Sequence, residues 1–449
     1  MKCSCRGPRA NTWSGSLRIS PLDQRRLLDV CGVVSSKLTR PTTAVLHAGW
    51  TRDLNQSRKG TRRLRASWPP AFATNWRFEK ALWVDETGVQ VKPAALSFFI
   101  VFGLMLGSVE KLAAQTVMLP GFNVDLTQTS VSGLSSGGYM AVQLNVAFSS
   151  FIKGAGIVAA GPYYCAQNNL SIATSVCSCT ALLCNNRPGS IDVQTLMRTT
   201  DRNAKQGSID PTSYLARQRI WLFSGKADSI VPQQVMDDLA AYYAGYVDKS
   251  AIYYKKDINA QHAQPTDAYG SPCSTLGDPY INNCAYDAAG ELLKWIYNSL
   301  NERNDSQLDG NFVQFDQTEF LADPTLHGMD TSGWLYVPAS CRNQRPCRLH
   351  ISFHGCNQYQ AHSYFQFGSG VVTFGTTFVH NAGYNKWADS NGFLVLYPQA
   401  TATPSNPQGC WDWWGYDDPN YALKSGRQMH AVQSMIERIV GAPVSPIAR

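Results

Sequence analysis

The feature that most restricts the fold is Gly133-Leu134-Ser135-Ser136-Gly137, a G-x-S-x-G pattern between a β-rich run at Gln128–Leu134 and helical spacing at Gly138–Phe151. A serine at the tip of a sharp strand-to-helix turn needs small neighbours, because backbone must pass close on both sides. The helix that follows points its first N–H groups at the turn, where they favour a developing oxyanion. The pattern alone arises by chance in Gly/Ser-rich loops. Here the strand before it and the helix after it supply the context that an elbow demands. Apolar runs at Ala155–Ala159, Ile220–Phe223, Ala251–Tyr254, Trp334–Val337, Leu349–Phe353 and Phe393–Tyr397 predict further strands. Helical spacing marks Gln233–Tyr246, Ala288–Leu300 and Arg427–Val440. Such alternation predicts an α/β fold, a mostly parallel central sheet with helices on both faces. Asn301–Ser332 has no clear period and is expected to be mostly loop.

The charge of the chain is divided. Residues 1–90 hold 16 of the 39 Lys and Arg and 6 of the 32 Asp and Glu, which leaves 23 basic and 26 acidic residues in the rest. The part with structural periodicity is therefore nearly neutral, and nothing in it suggests nucleic-acid binding. Residues 1–88 show no period and are rich in Arg, as in Arg58-Lys59-Gly60-Thr61-Arg62-Arg63-Leu64-Arg65. A disordered basic leader and a nucleic-acid tail are the competing readings. The reading preferred is that residues 1–88 lie outside the working protein, because a secretory signal peptide follows them at 89–114. Lys92 gives it a positive start, Ala94–Val109 an apolar run, and Leu112-Ala113-Ala114 small residues for cleavage. A start assigned too early, with initiation near Val89 or Val91, reconciles the two. The apolar run is short for a spanning helix, so an uncleaved anchor is the lesser alternative. Residues 115–449 contain no linker or repeat and are expected to form one catalytic domain. Of 13 cysteines, three (Cys3, Cys5, Cys31) lie in the leader and ten follow Ala114. An even set beyond a signal peptide implies disulfides and a secreted or periplasmic protein. Zinc is the competing reading, but Cys177-Ser178-Cys179 and Cys184 lack a matching second pair, and no metal is expected.

Two more residues complete a chemistry with Ser135. Asp228, in the loop after Phe223, is placed to accept a hydrogen bond from a histidine N–H and fix its tautomer. The bland alternative is an Asx turn or a cap for the helix after Pro232. His262, in Asn259-Ala260-Gln261-His262-Ala263-Gln264-Pro265-Thr266, follows the strand at 251–254. A surface histidine is the alternative there. The order Ser, Asp, His, each just after a strand, is that of α/β-hydrolases. In His350-Ile351-Ser352-Phe353-His354-Gly355-Cys356 a strand ends in His-Gly, as such enzymes build the second oxyanion donor. The donors are assigned to the backbone N–H groups of Ser136 and Cys356, and His354 is the rival general base. This donor strand ordinarily precedes the nucleophile, yet here it follows by more than 200 residues. A circular permutation is inferred, which chain ends that meet at a surface make tolerable. Cys410-Trp411-Asp412-Trp413-Trp414-Gly415-Tyr416 is the densest aromatic cluster. At least one of its Trp is expected in the core. The others are expected to wall an apolar cleft, which Tyr139, Tyr163 and Tyr164 could extend.

Taken together, Ser132-Gly133-Leu134-Ser135-Ser136-Gly137-Gly138-Tyr139-Met140, Ser352-Phe353-His354-Gly355-Cys356, Leu394-Val395-Leu396-Tyr397-Pro398-Gln399 and Cys410-Trp411-Asp412-Trp413-Trp414 resemble polyhydroxybutyrate depolymerases. The likeness is to the single-domain, circularly permuted members and covers about residues 119–442. It implies an α/β-hydrolase fold, hydrolysis of short-chain poly(3-hydroxyalkanoate) esters, and no metal or organic cofactor. The family's serine, aspartate and histidine would fall on Ser135, Asp228 and His262, its second oxyanion donor on Cys356, and its crevice tryptophan on Trp414. Trp411 and Tyr139 are further candidates for substrate contact. Residues 1–88 have no counterpart in the family. No separate substrate-binding domain is recognisable either, so oligomers or amorphous polymer are the expected substrates. The partner is thus a polyester or oligoester, with no stable membrane insertion after signal cleavage, and the protein is expected to be a monomer. The rivals are an esterase for acetylated or feruloylated polysaccharide and an exported binding protein that has lost turnover.

Cys356 at the oxyanion turn and Cys410 at the head of the Trp cluster are expected to bond, cross-linking two site elements. Cys341 should pair with Cys347 and Cys273 with Cys284. Cys165, Cys177, Cys179 and Cys184 should pair among themselves, in an order left open. The processing expectation is tested by amino-terminal sequencing of exported protein. The mature chain should begin near Gln115, and one that keeps the Arg-rich stretch 58–65 would contradict the reading.

Overall fold

The structure is a computed structural model, and it describes residues 117–343 and 345–441. The expectations placed on residues 1–88 and on the signal segment 89–114 lie outside the described residues. Eight strands form the central sheet. In spatial order they are Ile252–Lys255, Arg219–Phe223, Ile152–Val158, Val124–Leu134, Cys347–Phe353, Phe393–Tyr397, Ser332–Val337 and Asn311–Asp316. The first six run parallel, and the last two close one side antiparallel. Every strand predicted from the sequence coincides with one of these, within a few residues at each end. Phe393-Leu394-Val395-Leu396-Tyr397 is buried along its whole length, as a parallel strand covered on both faces must be.

Two differences from expectation have physical causes. Asn301–Ser332 is mostly loop, as expected, but it also contains an edge strand that the sequence does not announce, Asn311–Asp316. An edge strand is half-covered, and only Phe315 is fully buried, so its apolar signal is diluted. The helix Val193–Lys205 is not predicted either: it is polar overall, and only Leu196 and Thr200 on it are buried. Its ends nonetheless carry local signals. The Asp192 side chain accepts the Thr195 N–H at 3.0 Å, and Arg202 and Lys205 sit in the last turn.

The register of the sheet gathers the site. Leu134 lies opposite Val158, Val158 opposite Phe223, and Phe223 opposite Lys255, while Gly133 lies opposite Phe353. The loops that carry Ser135, Asp228, His262 and Cys356 therefore leave the sheet side by side, at the carboxyl ends of parallel strands, where open α/β sheets place their ligands. The helix after Ser135, Ser136–Ala147, has all twelve residues buried, so it is a core helix that cannot shift without disturbing the sheet. The late strand Cys347–Phe353 pairs in parallel with the early strand Val124–Leu134, so segments more than 200 residues apart in sequence lie side by side in one sheet.

Beneath the site lies a buried polar cluster. His350 is fully buried, with Nδ1 2.7 Å from Ser130 Oγ and Nε2 2.8 Å from Ser132 Oγ. Ser132 Oγ also donates to Tyr384 OH at 2.8 Å. Burial pushes the His350 pKa down from 6.5 to about 3, so the ring is neutral when folded. The unfolded chain takes up that proton below pH about 6.5, so the stability from a neutral His350 is complete above that pH and declines as pH falls toward the folded value. The stability gap between the protein and a His350→Gln variant should therefore shrink by about 2 kcal/mol from pH 7.5 to 5.0 in urea titrations. A constant or widening gap would contradict this.

Candidate active site

Ser135 occupies a backbone conformation rare for a residue with a β-carbon, φ 57° and ψ −124°. Its amide donates to Val158 O at 2.9 Å, and its carbonyl accepts from Tyr139 N–H at 2.9 Å, so both sides of the strained residue are held. Two glycines make the turn possible. A β-carbon at Gly133 would stand 2.1 Å from Gly137 O, and one at Gly137 would stand 2.3 Å from His354 O. The second figure fixes the relation between the two halves of the site, since it measures how tightly the helix start presses on the end of the Cys347–Phe353 strand.

His262 and Asp228 meet with both side chains nearly inaccessible. The ring Nδ1 is 2.9 Å from Asp228 Oδ2 and 3.1 Å from Oδ1. A ring nitrogen that close to a carboxylate carries the proton, which leaves Nε2 as the basic nitrogen. Asp228 Oδ1 also accepts the amides of Ile230 at 2.9 Å and Val231 at 2.8 Å. The Asx-turn reading and the histidine-orienting reading are thus both true of one carboxylate. The two loops are tied together as well. Gln261 Oε1 accepts from the amides of Ser229 at 3.2 Å and His262 at 3.1 Å, and Ala227 N–H donates to Ala260 O at 3.0 Å.

The loop expected to hold the second oxyanion donor follows Phe353. A β-carbon on Gly355 would lie 3.4 Å from the Ser135 β-carbon, so the loop runs directly beside the serine. The amides of Ser136 and Cys356 have no hydrogen-bond partner among the described residues. His354 is not available as a base. It is fully buried, its Nδ1–H donates to Gly355 O at 2.8 Å, and its Nε2 accepts from Ala400 N–H at 3.1 Å. Burial holds its pKa down at about 4, and both ring nitrogens serve the loop's shape.

Ser135, His262, Gly355 and Cys356 line one cavity of about 320 Å³ whose walls are mostly apolar. Trp413 and Trp414 form one wall, and Tyr139 stacks on Trp413 with ring centroids 3.9 Å apart and planes 9° apart. Three sequence expectations need correction. Trp411 is fully buried and does not line the cavity; its Nε1–H donates to His354 O at 3.1 Å, so it supports the loop from behind. Tyr163 is also buried, donating to Ala422 O at 2.9 Å, and Tyr164 stacks on Tyr421 away from the cavity. The residue that sequence reasoning does not single out for the wall is Trp413. Its neighbour Asp412 turns the loop: its carboxylate accepts four amides, those of Gly415, Tyr416, Asp417 and Asp418, and burial pushes its pKa up to about 6.

Five disulfides join Cys165 to Cys177, Cys179 to Cys184, Cys273 to Cys284, Cys341 to Cys347 and Cys356 to Cys410. The last spans 54 residues and links the loop beside Ser135 to the Trp wall. A Cys356→Ser, Cys410→Ser double variant should lose up to about 4 kcal/mol of unfolding free energy in the chain-entropy treatment of such a loop. Denaturant titration that finds no loss would show that the cross-link does not hold the loop against the wall. No group of side chains suited to a metal ion occurs among the described residues.

No family model matches the sequence. The chain is 45% identical over 341 residues to the poly(3-hydroxybutyrate) depolymerase of Delftia acidovorans, covering 74% of this chain and 64% of that protein's length. It is 39% identical over 338 residues to the polyhydroxybutyrate depolymerase of Talaromyces funiculosus, covering 72% of this chain and 92% of the relative. Two solved structures superpose on it. A serine-to-alanine variant of PHB depolymerase, complexed with an R3HB trimer, gives a TM-score of 0.64 at 37% identity, over 72% of this chain and 99% of that one. PHB depolymerase from Penicillium funiculosum gives 0.63 at 37% identity, with the same coverage. With a relative at 39% identity matched over nine-tenths of its length, and two structures matched almost completely, the chain belongs to the polyhydroxybutyrate depolymerase family.

Proposed function

We propose that this protein is a serine esterase that hydrolyses the ester bonds of short-chain poly(3-hydroxyalkanoates) through an acyl-enzyme. The observation that carries the reading is the meeting, on one apolar cavity, of a strained Ser135, a histidine oriented by Asp228, and the loop that holds the Cys356 amide. Ser135 Oγ attacks the ester carbonyl while His262 Nε2 takes its proton. Asp228 stabilises the imidazolium that forms. The negative oxygen is received by the amides of Ser136 and Cys356, which are preorganised and cost no rearrangement. His262 then returns the proton to the departing alcohol, and water repeats the sequence to free the acid. Trp413, Trp414 and Tyr139 suit the methyl-bearing backbone of a hydroxyalkanoate better than a sugar, because the wall offers rings and few free polar groups.

The names of the relatives support this substrate class, and the solved complex with an R3HB trimer supports binding of an oligoester in such a cleft. Export is supported by the five disulfides, and among the described residues no helix is long and apolar enough to cross a membrane. A permuted hydrolase is the reading favoured by the pairing of the late His-Gly strand beside the early serine strand. The protein is read as a monomer. Ser135→Ala should lower kcat on p-nitrophenyl butyrate by about 10⁴-fold or more while leaving the fold intact. Hydroxybutyrate and its oligomers should be the products from amorphous poly(3-hydroxybutyrate). A variant that keeps over a tenth of the activity, or an enzyme that acts on feruloyl esters and not on the polyester, would refute the reading.

A further inference from the structure

The geometry points to Gln358 as the positioning residue of the oxyanion hole, acting through its hold on Gly355 and on the segment that packs against His262; the inference rests on the hydrolase reading above. Gln358 is buried to 1% exposure and does not line the cavity. Both ends of its amide are used. Oε1 accepts the Gly355 N–H at 2.7 Å, and Nε2 donates to Pro279 O at 3.0 Å and to Tyr280 O at 3.1 Å.

Those partners belong to the two separate parts of the site. Gly355 is the residue before Cys356, on the loop beside Ser135. Tyr280 lines the cavity, its ring faces the His262 ring edge-on at 6.4 Å, and its carbonyl also accepts the amide of Gln264, two residues after His262, at 2.9 Å. One side chain therefore spans from the oxyanion loop to the segment that packs on the general base.

Around Cys356 three groups are fixed. The Gly355 N–H is taken by Gln358, the Asn357 N–H donates to Gln408 O at 2.7 Å, and the Cys356 sulfur is bonded to Cys410. Asn357 holds a left-handed φ of 59°, which turns the chain sharply at this point. Of the three consecutive amides Gly355, Cys356 and Asn357, that of Cys356 has no partner among the described residues. If Gln358 released Gly355, two adjacent amides would be free to face the cavity and the loop could rotate about the disulfide. Oxyanion stabilisation depends on where a donor stands when charge develops, so a small rotation acts on kcat more than on substrate affinity.

Two variants test this, each in the full chain. Gln358→Glu keeps an acceptor for Gly355 but, once ionised, sets a carboxylate against the carbonyls of Pro279 and Tyr280. Gln358→Met keeps the volume and removes every hydrogen bond. Three quantities are read: kcat and KM on p-nitrophenyl butyrate, inhibition by an alkyl boronic acid that forms a tetrahedral adduct on Ser135, and binding of a hydroxybutyrate trimer in a Ser135→Ala background. At least one variant should lose about 10- to 100-fold in kcat and a comparable factor in boronate affinity. KM and trimer binding should stay within about threefold of the parent, since ground-state contacts are untouched. The kcat of Gln358→Glu, taken as a ratio to the parent at the same pH, should recover toward acid pH, where its carboxyl can donate again. An unchanged kcat in both variants, or trimer binding that falls in step with kcat, would overturn the positioning role. Labelling of wild-type Ser135 by an organophosphonate separates the two failures, because its absence would overturn the hydrolase reading itself.

Discussion

The close approach at Gly137 is the constraint on which the remaining structure depends. The start of the Ser136–Ala147 helix lies against the carbonyls of Phe353 and His354, so near that a β-carbon at Gly137 would meet both at 2.3–2.4 Å. Ser135 can sit beside the loop that carries Gly355 and Cys356 only because that contact is allowed. The strain of its positive φ is borne by a helix that is buried throughout and by the buried carboxyl end of the strand before it, which is how a costly backbone conformation persists.

That contact joins parts of the chain that are remote in sequence. Ser135, Asp228 and His262 come from the first part of the described chain, and the Gly355–Cys356 loop and the Trp wall from the last. Parallel pairing of Val124–Leu134 with Cys347–Phe353 makes the main join. The Cys356–Cys410 bond, the Trp411 hydrogen bond to His354 O, and the Gln358 bonds to Pro279 and Tyr280 then fix the late segment at the level of single atoms. A cavity lined from both segments demands that order of precision, because catalysis by fixed dipoles is lost when donors move by about 1 Å.

Much of this is legible in the sequence, for reasons that can be named. Parallel strands buried on both faces read as plain apolar runs, so Phe393–Tyr397 is predicted with its ends correct. The elbow is visible because its steric demand leaves glycines at fixed spacing. Asp228 and His262 are marked by their place after strands, and the structure brings them within 2.9 Å. What escapes is what depends on tertiary packing. Nothing in Cys410-Trp411-Asp412-Trp413-Trp414 says which ring faces the cavity; the sheet below decides that Trp411 is buried and Trp413 stacks on Tyr139. Gln358 carries no signal either, since a glutamine two residues past Cys356 looks like any loop residue until its three partners are seen. The edge strand Asn311–Asp316 is hidden by its half-exposed face.

The central claim is that Ser135 becomes esterified during turnover, and the most direct measurement is rapid-quench mass spectrometry of the protein mixed with a 3-hydroxybutyrate oligomer. The account requires a transient 3-hydroxybutyryl adduct on the peptide that contains Ser135, formed before steady state and lost on hydrolysis. An adduct on another residue, or product release with no adduct at any quench time, would contradict it.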